Sequence, residues 1–229
     1  MKRLFIHNII IIAAMLTVAG CSAGGYNMDI PEPSINEDPS IAGVTKVSGL
    51  VTVKFTEDGL GYLQYGNYML LPDTIEYTRQ LRAMASMTIY PEKVGPGRAY
   101  YKTELEWIEA LDEGQFGVSA SAGDPLDINL SSAYTCVEDG YLTIKYLTWW
   151  GETPLHHDFY LSRDPKQPYA LTLVQDSHGD GKDNCTEGLV CFDINSLPDT
   201  EGQTLTISLQ WTKLDGTLGT AYFGFKTRE

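Results

Sequence analysis

The chain has 229 residues, with 16 Lys and Arg against 30 Asp and Glu, so its formal net charge at pH 7 is -14. Apolar residues make up 43% of the sequence, which is enough to build a core and excludes a wholly disordered chain. Few cations are available to neutralise phosphates, which argues against nucleic acid as a partner and against docking on an anionic membrane through a basic patch. The composition indicates a soluble, β-rich, anionic protein and by itself names no activity.

The N-terminus has the pattern of an export signal. Lys2 and Arg3 precede an apolar run over 9–18, which ends in small residues before Cys21. A positive start, a short apolar centre and a small-residue exit are typical of a secretory signal peptide. The string Leu-Thr-Val-Ala-Gly-Cys at 16–21 resembles a bacterial lipobox. It predicts that acylated Cys21 anchors a lipoprotein in the bilayer, at the outer membrane or cell surface. An ordinary cleaved signal with an incidental cysteine is the alternative.

Two stretches of low apolar content divide the rest of the chain. The first, up to residue 45, is rich in Gly, Ser, Pro, Asn and acidic residues, and predicts a flexible tether. The second runs over 112–125 without a period of its own and indicates a domain boundary near residue 122. The predicted organisation is a signal peptide at 1–20, a tether at 21–45, a first domain at 46–122 and a second domain at 123–229.

Five β-like runs alternate with turns in the first domain. They cover residues 46–55, 62–65, 68–71, 82–90 and 99–111. Runs rich in Val, Thr and Tyr between Gly-containing turns are typical of strands and hairpins. The last run contains Glu, Leu and Ala and is compatible with a helix, but its alternation over 101–107 favours a strand. Five strands with one non-strand piece at 73–80 predict a small closed barrel of OB type.

Seven further strand candidates occupy the second domain, with hairpin turns at 138–140 and 214–216. They cover residues 133–137, 141–149, 157–161, 169–175, 189–194, 204–211 and 220–226. Seven strands at regular spacing over about 100 residues predict an antiparallel β-sandwich. The predicted fold class is therefore all-β, with an OB-like barrel followed by a β-sandwich.

Several features follow one another along the chain in a recognisable order. They are a lipobox, two strands of the predicted barrel at 47–55 and 81–90, and a series of C-terminal motifs. The C-terminal motifs are Asp127-Ile128, Tyr141-Leu142-Thr143-Ile144, His157-Asp158-Phe159-Tyr160-Leu161, Leu171-Thr172-Leu173, Gly179-Asp180 and Gly188-Leu189-Val190-Cys191-Phe192-Asp193. In these features the chain resembles the NigD-like lipoproteins. The resemblance implies an N-terminal OB domain and a C-terminal β-sandwich. The family is named after a protein proposed to confer bacteriocin immunity, and most members have no established activity.

Catalytic motifs are absent from the sequence. It contains no Gly-x-Ser-x-Gly elbow, His-Glu-x-x-His pair, P-loop or dinucleotide fingerprint. His156 and His157 are adjacent at the start of a predicted strand, so one is expected to be buried and the other exposed. A metal role would need both on one side. The sequence therefore predicts a non-enzymatic protein.

The expected function is that of a lipid-anchored envelope module that binds an unknown partner, either an envelope protein or a glycan. An immunity-type protein acting through protein–protein contacts is the first alternative, and a glycan-binding or glycan-processing lipoprotein is the second. Trp149 and Trp150 lie on opposite sides of a strand end, so one indole is expected near solvent. Trp150 is the candidate for stacking on a ligand, since indole rings offer a flat apolar face. Its alternative role is to plug a loop.

The segment 176–187 has the spacing of a calcium-binding loop. Oxygen donors occupy its positions 1, 5, 9 and 12, as Asp176, Asp180, Asn184 and Glu187. Gly181 stands at position 6, where the sharp turn requires glycine, but His178 occupies position 3 in place of an acid or amide. Weak calcium binding is the one cofactor that the sequence predicts. A metal-free acidic hairpin loop is the alternative.

A short motif in the first domain points to modification. Asp73-Thr74-Ile75 resembles the acceptor pattern for O-glycosylation known in some Gram-negative anaerobes. The pattern predicts a glycan on Thr74, although three-residue patterns also arise by chance.

Overall fold

The computed structural model describes residues 41–118 and 123–227. The predictions for the signal peptide, for Cys21 and for the tether up to residue 40 lie outside the described residues. Apart from one 3-10 turn at Pro96–Arg98, every regular element in the described ranges is a strand, and the predicted all-β class is confirmed. No helix among the described residues is long and apolar enough to cross a membrane.

The first five strands form a closed barrel in the order β1-β2-β3-β5-β4. They are β1 Thr45–Phe55, β2 Gly61–Tyr65, β3 Tyr68–Pro72, β4 Leu81–Val94 and β5 Tyr100–Ala110. Strands β3 and β5 pair in parallel, and the other neighbours pair antiparallel. The stretch 73–80 is irregular, as predicted. These features confirm the OB-like barrel.

Strand β5 shows why alternation outweighs helix propensity in this segment. Tyr101 and Thr103 are buried at 4% and 0% exposure, whereas Glu104 and Glu106 face solvent. Strand β4 runs beyond the predicted end at residue 90, because a register shift between Ile89 and Lys93 accommodates Pro91. Proline lacks the backbone donor that an uninterrupted ladder needs, and a bulge is where a strand tolerates it.

Two further sheets build the β-sandwich. One has the order β6-β13-β10-β8, with β9 also paired to β10, and the other has the order β15-β14-β12-β11-β7. The strands are β6 Asp112–Glu113, β7 Gln115–Phe116, β8 Asp127–Ile128, β9 Cys136–Glu138, β10 Tyr141–Trp150, β11 Asp158–Asp164, β12 Gln167–Asp176, β13 Asn184–Asp193, β14 Leu205–Thr212 and β15 Leu218–Phe225. Their inward side chains, among them Leu142, Phe192, Leu209 and Phe225, form one core. The predicted sandwich is confirmed, although it is not antiparallel throughout: β6 with β13, β7 with β11, and β12 with β14 pair in parallel.

The structure places the start of the sandwich at Asp112, earlier than the predicted boundary near residue 122. Strand β6 pairs with β13, and β7 pairs with β11, so the stretch after residue 111 already belongs to the two sandwich sheets. Gly114 lies between them, and a Cβ atom there would meet the Phe192 ring at 2.2 Å. The segment is fixed by backbone pairing and close packing, which leave no hydrophobic period in the sequence.

Polar contacts join the barrel to the β9–β10 hairpin of the sandwich. Arg82 of β4 is only 1% exposed, donates to Thr52 Oγ1 at 2.8 Å, and forms an ion pair with Glu138. Lys54 Nζ lies 3.0 Å from Asp139 Oδ1. A buried guanidinium needs a partner, and the sandwich supplies it.

Candidate functional site

A buried histidine organises the end of the sandwich where β10 ends and β11 begins. The side chain of His157 is 0% exposed, and its Nε2 lies 3.1 Å from Asp180 Oδ2. Its Nδ1 lies 2.6 Å from the side-chain nitrogen of Gln175. The Trp150 indole stacks on the imidazole, with ring centroids 3.9 Å apart and planes 5° from parallel. Both ring nitrogens and one ring face of His157 are therefore occupied from within the chain.

The contacts of His157 define its tautomer. Because the Gln175 amide nitrogen donates, Nδ1 accepts, and the proton of the neutral ring stays on Nε2, which donates to Asp180. Burial lowers the pKa of the His157 imidazole, and the Asp180 carboxylate opposes that shift without cancelling it. A ring with no free nitrogen cannot act as a general base towards a bound substrate.

Asp180 satisfies several backbone amides at once. Burial alone would raise the pKa of its carboxyl, but backbone amides of Gly151, Gly181 and Leu155, together with His157, lower it below the ordinary value. The amide of Gly181 lies 2.8 Å from Oδ1, and that of Leu155 lies 3.2 Å from Oδ2. Gly151 allows this close approach, since a Cβ atom there would meet Asp180 Oδ1 at 2.5 Å.

Neighbouring acids have the same role in this region. Asp183 Oδ2 accepts from the Glu152 amide at 3.0 Å, and Asp176 Oδ1 accepts from the His178 amide at 2.8 Å. The abundance of acidic residues in these loops reflects the backbone donors that irregular chain leaves unpaired.

The adjacent His156 is 75% exposed in its side chain, so one histidine of the pair is buried and the other exposed, as expected.

The structure does not bring the four predicted calcium donors to one point. Strand β13 begins at Asn184, so Asn184 and Glu187 lie on a strand, three residues apart and on opposite faces. Glu187 pairs with Lys145 at 2.7 Å, and Asp180 is held by His157. Over residues 41–118 and 123–227, no group of three or more His, Cys, Asp or Glu side chains is arranged to hold a metal ion. Two of the four residues whose spacing resembled a calcium-binding loop therefore belong to strand β13.

The other predicted site residues lie apart from one another. Trp150 is half-buried, and one face of its indole is stacked on His157; the more exposed indole of the pair is Trp149, at 37% exposure. Thr74 is exposed in the irregular stretch between β3 and β4, which is compatible with modification and does not test it. Cys21 lies outside the described residues.

A surface that the sequence reasoning missed lies on the outer face of the second sandwich sheet. Strands β12, β14 and β15 contain 10, 8 and 8 residues and carry one charged side chain, Asp176 at the end of β12, although charged residues make up 20% of the chain. The register aligns four outward side chains from adjacent strands, here called the polar row. They are Ser162, Thr172, Gln210 and Thr220.

Three side chains of the polar row, Thr172, Gln210 and Thr220, are exposed, and Ser162 is half-buried. Within the part of the chain that the structure describes, its four side chains make no hydrogen bond or ion pair with other residues. Beside the row on β15 stands Tyr222, which is 71% exposed, and Leu218 of the same strand is 65% exposed. The signal that could have located this face is the near-absence of charged residues from three of the last four strands in an acidic chain.

Comparisons with known proteins agree with this architecture. Residues 112–225 match the model of the NigD-like C-terminal beta sandwich domain, which begins at the residue where the structure places the start of the sandwich. Among curated proteins, no significant match to the chain was found.

Solved structures share the fold over most of the chain. A protein from Parabacteroides distasonis proposed to be toxin-related is 21% identical, with a TM-score of 0.64 over 80% of this chain and 94% of that one. A NigD-like immunity protein from Bacteroides caccae is 16% identical, with a TM-score of 0.53 over 80% and 98%. A proposed lipoprotein from Bacteroides fragilis is 15% identical, with a TM-score of 0.50 over 81% and 100%. By its C-terminal domain, residues 112–225, the chain belongs to the NigD-like family.

Proposed function

We propose that the protein is a non-enzymatic binding module of the cell envelope, anchored through acylated Cys21, that engages its partner with the outer face of the second sandwich sheet. The observation that carries the proposal is the polar row. Its hydrogen-bonding groups are aligned across four strands and have no partner among the described residues, so a ligand can bind them without breaking a hydrogen bond between those residues.

The His157 cluster supports a non-enzymatic role. It is the most elaborate polar arrangement of the sandwich, yet both imidazole nitrogens are bonded to Asp180 and Gln175. The hydroxyl of Ser177, in the loop that contains Asp180, donates to Asp124. The cluster therefore has the properties of a structural element that holds loops together.

The envelope location is supported by two independent features. The N-terminal sequence up to Cys21 has the order of a lipoprotein signal. The Bacteroides fragilis protein that shares the fold is described as a proposed lipoprotein. A lipid anchor followed by a charged, Gly- and Ser-containing tether would hold the two folded domains near the membrane surface.

The anchor and the binding face are tested separately. In cells expressing the full chain, labelled palmitate should enter the wild type and not Cys21→Ser, which should leave the membrane fraction. The secreted Cys21→Ser chain should then co-sediment with envelopes isolated from cells that lack the gene. Adding Thr220→Lys, which places a charge in the polar row, should reduce the bound fraction at least fivefold. Thr78→Lys, at an exposed threonine of the barrel segment between β3 and β4, should not. Equal binding by the two lysine variants would refute the proposed face.

An immunity-type role is the second candidate, favoured by the name of the Bacteroides caccae protein that shares the fold. In that role the outer face would contact an exported toxin. A gene for a secreted toxin next to this one, together with a complex between the two proteins that Thr220→Lys disrupts, would support it. Envelope binding without any such toxin would favour the general binding role.

A further inference from the structure

We infer that the outer face of the second sandwich sheet is a binding site for an uncharged oligosaccharide, with Tyr222 as the stacking platform and the polar row as the hydrogen-bonding track. The inference rests on the proposed binding function and names the class of its ligand.

The charge distribution selects a neutral ligand. The outward side chains of β14 and β15 include no Lys, Arg, Asp or Glu, and β12 adds only Asp176 at its end. Phosphates, sulfates and uronic acids are recognised through Arg and Lys, which β12, β14 and β15 lack. The charged residues of β11, which contributes Ser162, are Asp158 at its start and Arg163 and Asp164 at its end, so the uncharged part of the face is that of β12, β14 and β15. In a chain with a net charge of -14, such a face accepts an uncharged molecule without desolvating an ion.

The polar row has the hydrogen-bonding capacity that sugar hydroxyls need. Ser and Thr hydroxyls each donate and accept, and the Gln210 amide offers both functions at one site. A sugar hydroxyl also donates and accepts, so the two surfaces can pair without leaving either unsatisfied. Four adjacent strands at about 4.8 Å spacing make the row about 14 Å long, a length that favours a short oligosaccharide over a single sugar.

Tyr222 supplies the apolar contact beside this track. It lies opposite Ser208 in the register, two residues along β15 from Thr220, and its side chain projects from the same face as the polar row. At 71% exposure most of its side chain is open to solvent, and a flat aromatic face packs on the apolar C–H face of a pyranose.

A shallow depression adjoins Tyr222 on the same sheet. Its volume is about 250 Å³. It is lined by Gln167, Pro168, Tyr169, Ala170, Thr206 and Ser208. The lining has small or hydroxyl side chains and no charge, which is suited to a sugar ring next to the platform.

The test uses the secreted Cys21→Ser chain in affinity gel electrophoresis with uncharged polysaccharides (starch, mannan, galactan, xylan and β-glucan) and with polygalacturonate as the charged control. We expect at least one uncharged polysaccharide to retard the protein and polygalacturonate not to. Tyr222→Ala should weaken the retarding interaction at least tenfold, and Tyr222→Phe, which keeps the ring, should retain it. Trp149→Ala removes an exposed aromatic from the other sheet and should have no effect.

The outcomes separate this inference from the proposed function. No retardation by any uncharged polysaccharide, or retardation that Tyr222→Ala leaves unchanged, would overturn the carbohydrate site. If Thr220→Lys still abolished envelope binding, the binding function would stand and the partner would be a protein. Circular dichroism and melting temperatures of all variants ensure that a loss of binding is not a loss of folding.

Discussion

Replacing Gly151 with alanine tests the geometry of the His157 cluster most directly. The added Cβ atom would lie 2.5 Å from Asp180 Oδ1, 3.0 Å from the Gly181 nitrogen and 3.3 Å from the Gly181 Cα. Two of these three contacts are with backbone, and the third is with a carboxylate fixed by backbone amides and by His157. No flexible side-chain end is available to move away.

The expected loss of stability follows from these three contacts. Overpacking a close-packed site by one methyl group costs about 1–3 kcal/mol when the surroundings cannot relax. For a folded unit of about 190 residues, 1 kcal/mol changes the melting temperature by about 2–4 °C, so Gly151→Ala should melt about 2–12 °C below the wild type. Displacement of Asp180 should also disturb the stacked Trp150–His157 pair and change the near-ultraviolet circular dichroism.

The matched control is Gly43→Ala. An alanine Cβ at position 43 would have no atom within 4 Å, and Gly43 has no positive φ angle, so the same chemical change should be nearly neutral there. Thermal unfolding followed at both far- and near-ultraviolet wavelengths distinguishes local from global loss. A melting temperature for Gly151→Ala within 2 °C of the Gly43→Ala value would refute the described packing of Gly151 against Asp180.

Three further predictions concern titration, calcium and thiols. Burial lowers the pKa of His157 from 6.5, so the unfolded chain binds this proton more readily, and stability should fall as pH drops below about 6.5; melting curves of His157→Gln should show a shallower fall. Because Glu187 is paired with Lys145, excess calcium and chelator should give equal melting temperatures, and a rise of several degrees with calcium would support the loop hypothesis instead. A thiol reagent should label exposed Cys185 in the native protein, whereas Cys191, buried and with its pKa raised to about 12, should react only after unfolding.

The barrel and most sandwich strands could be predicted because their information is local. A strand with one buried face alternates along the sequence, as β14 does with Ile207, Leu209 and Trp211 inward. Glycine-containing turns then mark the ends. The start of β13 could not be predicted this way, because Asn184 and its neighbours have weak strand propensity. They extend only because β10 pairs with them, from Trp150 opposite Asn184 onwards.

The candidate site, too, could be predicted from the sequence only in part. The sequence predicted that one histidine of the pair would be buried, but not that its partners would be Asp180 and Gln175, which depend on how two loops meet. Donor spacing within a segment resembles a calcium loop whether or not the chain curls round a common centre. Cross-strand alignment such as Thr172 beside Gln210 is a property of register, and single-sequence patterns carry little information about it.

The loops of the sandwich are rich in acidic residues, whereas the outer face of its second sheet has few charges. The carboxylates of the loops accept hydrogen bonds from backbone amides, so they stabilise the protein's own loops. Strand β15 lies at the end of its sheet among the described residues, has no charged side chain, and exposes Leu218 and Tyr222. Edge strands are usually protected by lysine, proline or a covering element, because a bare edge invites pairing with other chains. A ligand bound over this face would cover Tyr222, so the binding hypothesis accounts for an exposed aromatic ring on an uncharged strand of an otherwise strongly acidic protein.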